Sequence, residues 1–263
     1  MPEISVIIPT FNRPEMLKRA VASVQAQTFK DFELIVIDDA MLKKGGGGAR
    51  NEGIKKAQGK YIAFLDDDDQ WMPEKLEIQY RLLSVTPPDV GFSFTSVVNV
   101  FDDHEETTKI SEGIADYHKR VLENFKEFLN VTLMFKREVF DIVAGYDEAF
   151  PNHQEIDLLI RVTKRYKGLG INQPLTRVSM SRSYIRTNKA TPDMRIQGRE
   201  MLLKKHHDDF AEDPENFAWQ LFFLAILHRD NRNRLRAREL FRQAWRLDYK
   251  VRYKLHEFAT YLL

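Results

Sequence analysis

The segment Tyr61-Ile62-Ala63-Phe64-Leu65-Asp66-Asp67-Asp68-Asp69 decides the fold: an apolar run of strand length is stopped by four consecutive carboxylates. Two stretches nearer the N-terminus follow the same plan. Ile4 to Ile8 is a β-branched run ended by Pro9, and Leu34 to Ile37 is an apolar run ended by Asp38-Asp39. Helical signals lie between them. Asn12 offers a cap, Pro14 falls in the first turn and Glu15 follows the cap by three residues, while Leu17, Ala20, Val21 and Val24 share one face. Gly45 to Gly48 reads as a flexible turn before a helix from about Ala49 to Ala57, and Pro73-Glu74 open another through about Leu83. Alternating strands and helices predict an α/β fold, a mostly parallel sheet flanked by helices. Ligands of such sheets bind beyond the carboxyl ends of the strands, where Thr10, Asp38-Asp39 and the acidic run converge.

Composition narrows the function classes. The 263 residues carry 40 Lys+Arg against 39 Asp+Glu, a net charge of +1, which argues against a strongly basic nucleic-acid binder. With 43% hydrophobic residues the chain reads as globular rather than disordered. Cysteine is absent, excluding a disulfide framework, a thiolate metal site and a cysteine nucleophile. The longest apolar runs, such as Leu221 to Leu227, fall far short of the roughly 20 residues that cross a bilayer. Met1-Pro2-Glu3-Ile4 leads directly into a strand without a signal-peptide pattern, so a cytoplasmic location is expected.

In the middle, Val90 to Val98 and Val131 to Phe135 read as strands, with Asp102 to Glu112 a polar loop between them. Gly145 to Asn152 reads as a turn region before a helix from about Glu155 to Arg165, whose Asp157 and Arg161 are spaced as a surface i,i+4 pair. From about Asp193 the pattern is helical to the end, which predicts two domains, 1–192 and 193–263. Residues His228 to Glu257 hold ten Lys/Arg against four Asp/Glu. Two readings of this region stand together. Trp219, Leu221, Phe222, Leu224, Phe241, Trp245 and Tyr253 form a core, or the basic faces also meet an anionic membrane surface as a peripheral contact.

Four adjacent carboxylates repel one another, and a divalent cation offsets that repulsion; hard oxygen ligands suit Mg²⁺ or Mn²⁺. In an extended segment Asp66 and Asp68 point the same way, with Asp67 and Asp69 turned elsewhere. The alternative is a solvated acidic turn with Asp69 capping a helix. A calcium loop counted from Asp66 requires Gly at its sixth position, where Trp71 stands, although Glu77 does fall at the twelfth. The glycine run lacks the Lys-Ser/Thr of a phosphate loop.

Taken in order, Val6-Ile7-Ile8-Pro9-Thr10-Phe11-Asn12-Arg13, Gln27-Thr28-Phe29, Phe32-Glu33-Leu34-Ile35-Val36-Ile37-Asp38-Asp39, Ala49-Arg50-Asn51 and Phe64-Leu65-Asp66-Asp67-Asp68-Asp69-Gln70-Trp71-Met72-Pro73 resemble family 2 glycosyltransferases. Gly145-Tyr146-Asp147-Glu148 and Gln154-Glu155-Ile156-Asp157-Leu158 resemble that family's later motifs. The likeness covers about residues 3–165. It implies a GT-A fold and inverting transfer of a sugar from a nucleotide-diphosphate donor, UDP-linked in most members, to a saccharide or lipid-linked acceptor in surface polysaccharide or glycolipid synthesis.

By the same resemblance, Pro9, Thr10 and Phe11 line the nucleoside pocket. Asp39 accepts a hydrogen bond from the base with Asp38 in support, and Arg50 approaches the donor phosphates. Asp66 and Asp68 hold Mn²⁺ or Mg²⁺, Asp67 lies beside the ribose or sugar, Trp71 walls the sugar and acceptor, and Glu155 takes the place of the catalytic base. Two departures stand out. Glu155 replaces the family's usual Asp, and only nine residues separate Asp39 from Ala49 where the family fits a helix and a strand. Met41-Leu42-Lys43-Lys44 reads as the remnant of that strand, the shortness being either a deletion or residues missing from the chain. A catalytically inactive nucleotide-sugar-binding protein and a sugar nucleotidyltransferase are the alternative functions. The latter needs a Gly-rich basic loop where Pro9-Thr10-Phe11-Asn12 stands.

Overall fold

Strand β1 (Ile4–Thr10) is apolar almost throughout because it is buried on both faces of the sheet. It runs parallel to β2 (Phe32–Asp38) on one side and to β3 (Tyr61–Phe64) on the other. The structure, a computed structural model, describes residues 1–180 and 191–262. Helix α1 (Pro14–Gln25) joins β1 to β2, while the short α2 (Asp39–Leu42) and α3 (Gly45–Lys56) join β2 to β3. Next come β4 (Gln70–Trp71), α4 (Lys75–Leu83), β5 (Val90–Val100), β6 (Glu105–Thr107), β7 (Gly113–Ala115) and α5 (His118–Glu123). Then follow β8 (Met134–Lys136), α6 (Glu138–Val143), α7 (Gln154–Thr163) and β9 (Lys167–Ser179). Among the described residues the strand order is β2-β1-β3-β8-β5-β9-β4, with β6 on β5 and β7 on β9. The α/β class holds. The parallel part is the expected first third, together with β5 beside β9; β8 runs antiparallel to both β3 and β5.

Several local expectations change. Asn12 does not cap α1; it adopts a left-handed φ of 53°, which Asn tolerates better than most residues, and so turns the chain from β1 into the helix. Gly45 to Gly48 form the first turn of α3 rather than a loose turn. Gly47 and Gly48 are buried there, and a Cβ on Gly48 would fall 2.4 Å from the Lys44 Cβ. Met41 to Lys44 is no strand remnant. The Asp38 carboxylate caps α2 through the Ala40 N–H (2.9 Å) and the Lys43 N–H closes on the Asp39 carbonyl (2.8 Å), so the backbone is satisfied locally. The polar stretch after β5 contributes β6, and the expected strand from Val131 starts only at Met134, after a 3₁₀ turn over Asn130–Thr132.

The Gln27-Thr28 motif is a packing device. Fully buried Gln27 donates to the Met72 carbonyl (2.8 Å) and the Ser23 carbonyl (3.2 Å) and accepts from the Leu76 N–H (2.9 Å), while the Thr28 N–H reaches the Pro73 carbonyl (2.8 Å). These bonds tie the end of α1 to the entry of α4, directly after the acidic run.

The chain divides into two units. One comprises Met1–Glu148 and Glu155–Lys189; the other comprises Ala149–Gln154 and Ala190–Leu263. The helical unit thus also takes up 149–154, which the sequence reading assigned to the first domain, and residues 181–190, just before the expected boundary, lie outside the described residues. Its helices are α8 (Pro192–Lys205), α9 (His207–Ala211), α10 (Pro214–Asp230), α11 (Arg234–Leu247) and α12 (Val251–Leu262). Leu221, Phe222, Leu224, Phe241 and Tyr253 are buried as expected. Trp219 and Trp245 are only half-buried, each faced by a cation: Arg252 at 4.7 Å and Lys254 at 4.5 Å. Among the described residues no helix is long and apolar enough to cross a membrane.

Lys75 opens α4 fully buried, its Nζ bonded to Gln79 Oε1 and 4.3 Å from the Trp71 ring. Burial pushes it down to about 7 from an ordinary 10.5. Between those values the unfolded chain binds the extra proton, so stability rises with pH there. Wild type should gain about 1.4 kcal/mol per pH unit over that window relative to Lys75→Met. Urea unfolding at pH 7.5 and 9.5 measures this, and parallel profiles for the two proteins refute it.

Candidate functional site

The register Thr10↔Asp38 and Ile7↔Phe64 brings the carboxyl ends of β1, β2 and β3 to one edge of the sheet. A cleft of about 300 Å³ opens there, lined by Pro9, Thr10, Phe11, Arg13, Asp39, Gly46, Arg50, Asp66, Asp67 and Asp68. Phe11 is 52% exposed, an aromatic face left open because the Asn12 turn carries the chain away from the sheet. Asp39 keeps one carboxylate oxygen on the Lys44 N–H at 2.9 Å.

The acidic run is a turn rather than an extended segment, since the Asp69 N–H donates to the Asp66 carbonyl at 3.2 Å. Strict alternation therefore fails. Asp66, Asp68 and Asp69 each offer an oxygen within 4.8 Å of the others, so Asp69 joins the pair expected from sequence. Asp67 turns back into the protein, accepting from Thr10 Oγ1 (2.7 Å) and Arg13 Nη1 (2.9 Å). Arg13 also lies 3.6 Å from Asp68. Burial, reinforced by Asp66 and Asp67, pushes the Asp68 carboxyl up to about 7 despite Arg13. Burial and then the Asp68 and Asp66 charges raise Asp69 as well, although the Ser179 N–H donates to it at 3.0 Å. Three oxygen donors gathered at this cost in repulsion fit a hard divalent cation.

Arg50 crosses the other wall. Its Nη2 donates to Asp66 at 2.5 Å, its guanidinium lies 5.6 Å from the Tyr146 ring, and its buried Nε has no hydrogen-bond partner among the described residues. Glu155, in the first turn of α7, shares this field: burial raises its pKa, with Arg50 pulling it down and Asp66 pushing it up. Tyr146 is fixed from three directions. Asn51 accepts from its N–H (2.8 Å) and donates to its carbonyl (2.9 Å), and its hydroxyl donates to Asn130 Oδ1 (2.6 Å). Gly145 is required there, because a Cβ would fall 2.1 Å from Asn51 Oδ1.

Two expected site residues take other places. Trp71 is a core residue at 4% exposure, its indole N–H donating to the Val131 carbonyl at 2.9 Å, so it walls neither sugar nor acceptor. Asp38 is an exposed helix cap outside the cleft lining. Asp67 remains at the cleft but has both oxygens engaged. The pair Asp157–Arg161 is not at the surface. Asp157 is fully buried, and Arg161 donates to the Val143 (2.7 Å) and Gly145 (2.8 Å) carbonyls, holding the loop that carries Tyr146. Arg13 and Gly46 were missed. Arg13 stands within the Pro9-to-Arg13 stretch already singled out, and a lone cation between two acidic clusters is the available signal; Gly46 had none beyond the glycine run.

Known proteins resemble this chain in both sequence and fold. Residues 5–41 and 42–141 match the model of Glycosyl transferase family 2, the break falling in the short segment after Asp39. The amylovoran biosynthesis glycosyltransferase AmsB of Erwinia amylovora is 30% identical over 213 residues, 67% of this chain and 69% of AmsB. The GalNAc(5)-diNAcBac-PP-undecaprenol beta-1,3-glucosyltransferase of Campylobacter jejuni is 38% identical over 95 residues, 27% of this chain, and the chain spans 31% of that relative. In fold, the chain resembles S. aureus TarS 1–349 in complex with UDP-GlcNAc, with a TM-score of 0.58 at 15% identity, covering 93% of this chain and 73% of that one. The fold is GT-A, and the chain belongs to glycosyl transferase family 2.

Proposed function

We propose that this chain is a metal-dependent, inverting glycosyltransferase that moves a sugar from a UDP-linked donor to an acceptor hydroxyl, in assembly of a cell-surface polysaccharide or glycolipid. The observation that carries the reading is the grouping of Asp66, Asp68 and Asp69 within 4.8 Å, with Asp66 and Asp68 lining the same cleft as Asp39 and Arg50. TarS, whose fold this chain shares, binds UDP-GlcNAc, and the Campylobacter relative acts on a diphosphate-linked lipid, which supports the donor and acceptor classes. The activity is assigned to residues 1–192.

Phe11 offers its open face to the base, and Asp39 accepts a hydrogen bond from it. Asp66, Asp68 and Asp69 would hold Mn²⁺ or Mg²⁺, which would supply positive charge against the diphosphate leaving group. Glu155 removes the acceptor hydroxyl's proton as that oxygen bonds to the anomeric carbon from the face opposite the diphosphate, whose bond to the sugar breaks. A carboxyl raised by burial suits a base that must take up a proton near neutral pH. Displacement in one step needs no nucleophile from the protein.

Glu155→Gln should leave binding of UDP with Mn²⁺ within about twofold of wild type while lowering kcat by roughly 10²–10⁴-fold. Calorimetry beside a donor-turnover assay reads both; near-normal turnover removes Glu155 from the base position, and binding without turnover in wild type favours an inactive nucleotide-sugar-binding protein. Asp68→Ala should abolish the thermal stabilisation by UDP that depends on Mn²⁺. Equal melting shifts in the variant and wild type refute the carboxylate metal site.

A further inference from the structure

Strand β2 ends the sheet. It pairs with β1 alone, through seven consecutive residues without a bulge, and among the described residues no other segment bonds to its backbone from Glu33 to Ile37. In a parallel ladder alternate residues turn their N–H and C=O groups to the same neighbour, so about half of these groups face away from β1. The nine residues between Asp39 and Ala49 are spent on α2 and the entry to α3, which leaves no strand beside β2. The side chains show the same opening. Where β1 is buried almost throughout, Phe32, Leu34 and Ile35 are only partly buried, Val36 is 41% exposed, and Met41 just beyond is 84% exposed. Soluble proteins blunt an open edge with Lys, Pro, a bulge or an outward charge. β2 has none of these. Its one internal charge, Glu33, is turned inward, accepting from Ser5 Oγ (2.6 Å) and the Gln58 N–H (2.7 Å).

We propose that a second copy of this chain covers the edge, β2 pairing antiparallel with its own counterpart about a two-fold axis through Leu34. The sequence is self-complementary in that register: Leu34 meets Leu34, Phe32 meets Val36, and Lys30 meets Asp38 at either end. Phe32, Leu34 and Val36 share one face of the strand, so these pairs make one apolar ladder across the junction. The end charges are available for it. Among the described residues Lys30 has no ion pair or side-chain hydrogen bond, and exposed Asp38 only caps α2 through the Ala40 N–H at 2.9 Å. The neighbouring register, about Ile35, sets Asp31 against Asp39 and Phe32 against Asp38, and charge therefore selects Leu34. A second β2 satisfies the outward backbone groups and covers Val36, and it does so whichever reaction the cleft performs.

The chain has no cysteine, so a single one reports its own pairing. Leu34→Cys sets two Cα atoms about 4.5–5.5 Å apart across the axis, within the span a disulfide bridges. Val36→Cys faces the partner's Phe32 instead, and its two copies stand roughly 13 Å apart along the ladder. Analytical ultracentrifugation of the full chain should show a monomer–dimer equilibrium, weakened about tenfold or more by Val36→Lys and about threefold or more by Lys30→Glu. Both changes fall at exposed positions, and circular dichroism checks that the variants fold. Mild oxidation with copper–phenanthroline should link Leu34→Cys into a dimer and leave Val36→Cys largely unlinked. A wild type that stays monomeric at the highest soluble concentration overturns the proposal. So does a dimer that neither Val36→Lys nor Lys30→Glu weakens, or equal cross-linking of the two cysteine variants.

Discussion

Repulsion among the carboxylates that follow β3 is the constraint around which the catalytic unit is built. Two unit charges 4.8 Å apart cost about 3–4 kcal/mol at an effective dielectric of about 20. Asp66, Asp68 and Asp69 present three such pairings, with Asp67 next to them. The protein offsets part of this with two arginines arriving from opposite sides, Arg13 on Asp67 and Asp68 and Arg50 on Asp66. Burial, together with the repulsion that remains, holds Asp68 far above an ordinary carboxyl. A site in this state is poised for a cation, because binding one relieves a cost the fold already bears.

Much of the surrounding architecture keeps that turn in place. Gln27 and Thr28 fasten the chain directly after it, Asp69 is held by the Ser179 N–H, and Trp71 anchors the next strand in the core through the Val131 carbonyl. On the far wall, Asn51, Asn130 and Arg161 immobilise the loop bearing Tyr146, and Tyr146 in turn faces Arg50. The polar residues conspicuous in the sequence thus divide into two groups. Some face the cleft, and others are buried hydrogen-bonding residues that aim them. A buried polar group is tolerated only when its partners are present, so the second group fixes geometry as strictly as apolar packing does.

The strands of the first third were legible because a continuous apolar run ended by Pro or Asp has few other interpretations in a buried sheet. Cleft residues at those strand ends, Thr10, Asp39 and the acidic run, were legible for the same reason, because topology places them, whereas Pro9 and Phe11 followed from the family resemblance. Trp71 and Asp38 were not, since whether a large aromatic packs inward or faces a ligand depends on what lies across from it, here the carbonyl of Val131, sixty residues away. The glycine run misled because glycine's backbone freedom suggests a loop, whereas its lack of a side chain is what lets the first turn of α3 fit.

Sequence alone therefore determined the order of strands and helices in the first third, the edge of the sheet where chemistry gathers, and the excess of negative charge there, because these follow from local periodicity and from which residues end each strand. Tertiary structure decided the rest. It set which carboxylates converge, turning Asp67 away and Asp69 in through a turn that periodicity does not foresee. It buried Asp157 with Arg161, whose guanidinium holds the loop that carries Tyr146. Those pairings are fixed by burial and by long-range hydrogen bonds, quantities that exist only once distant segments share a neighbourhood.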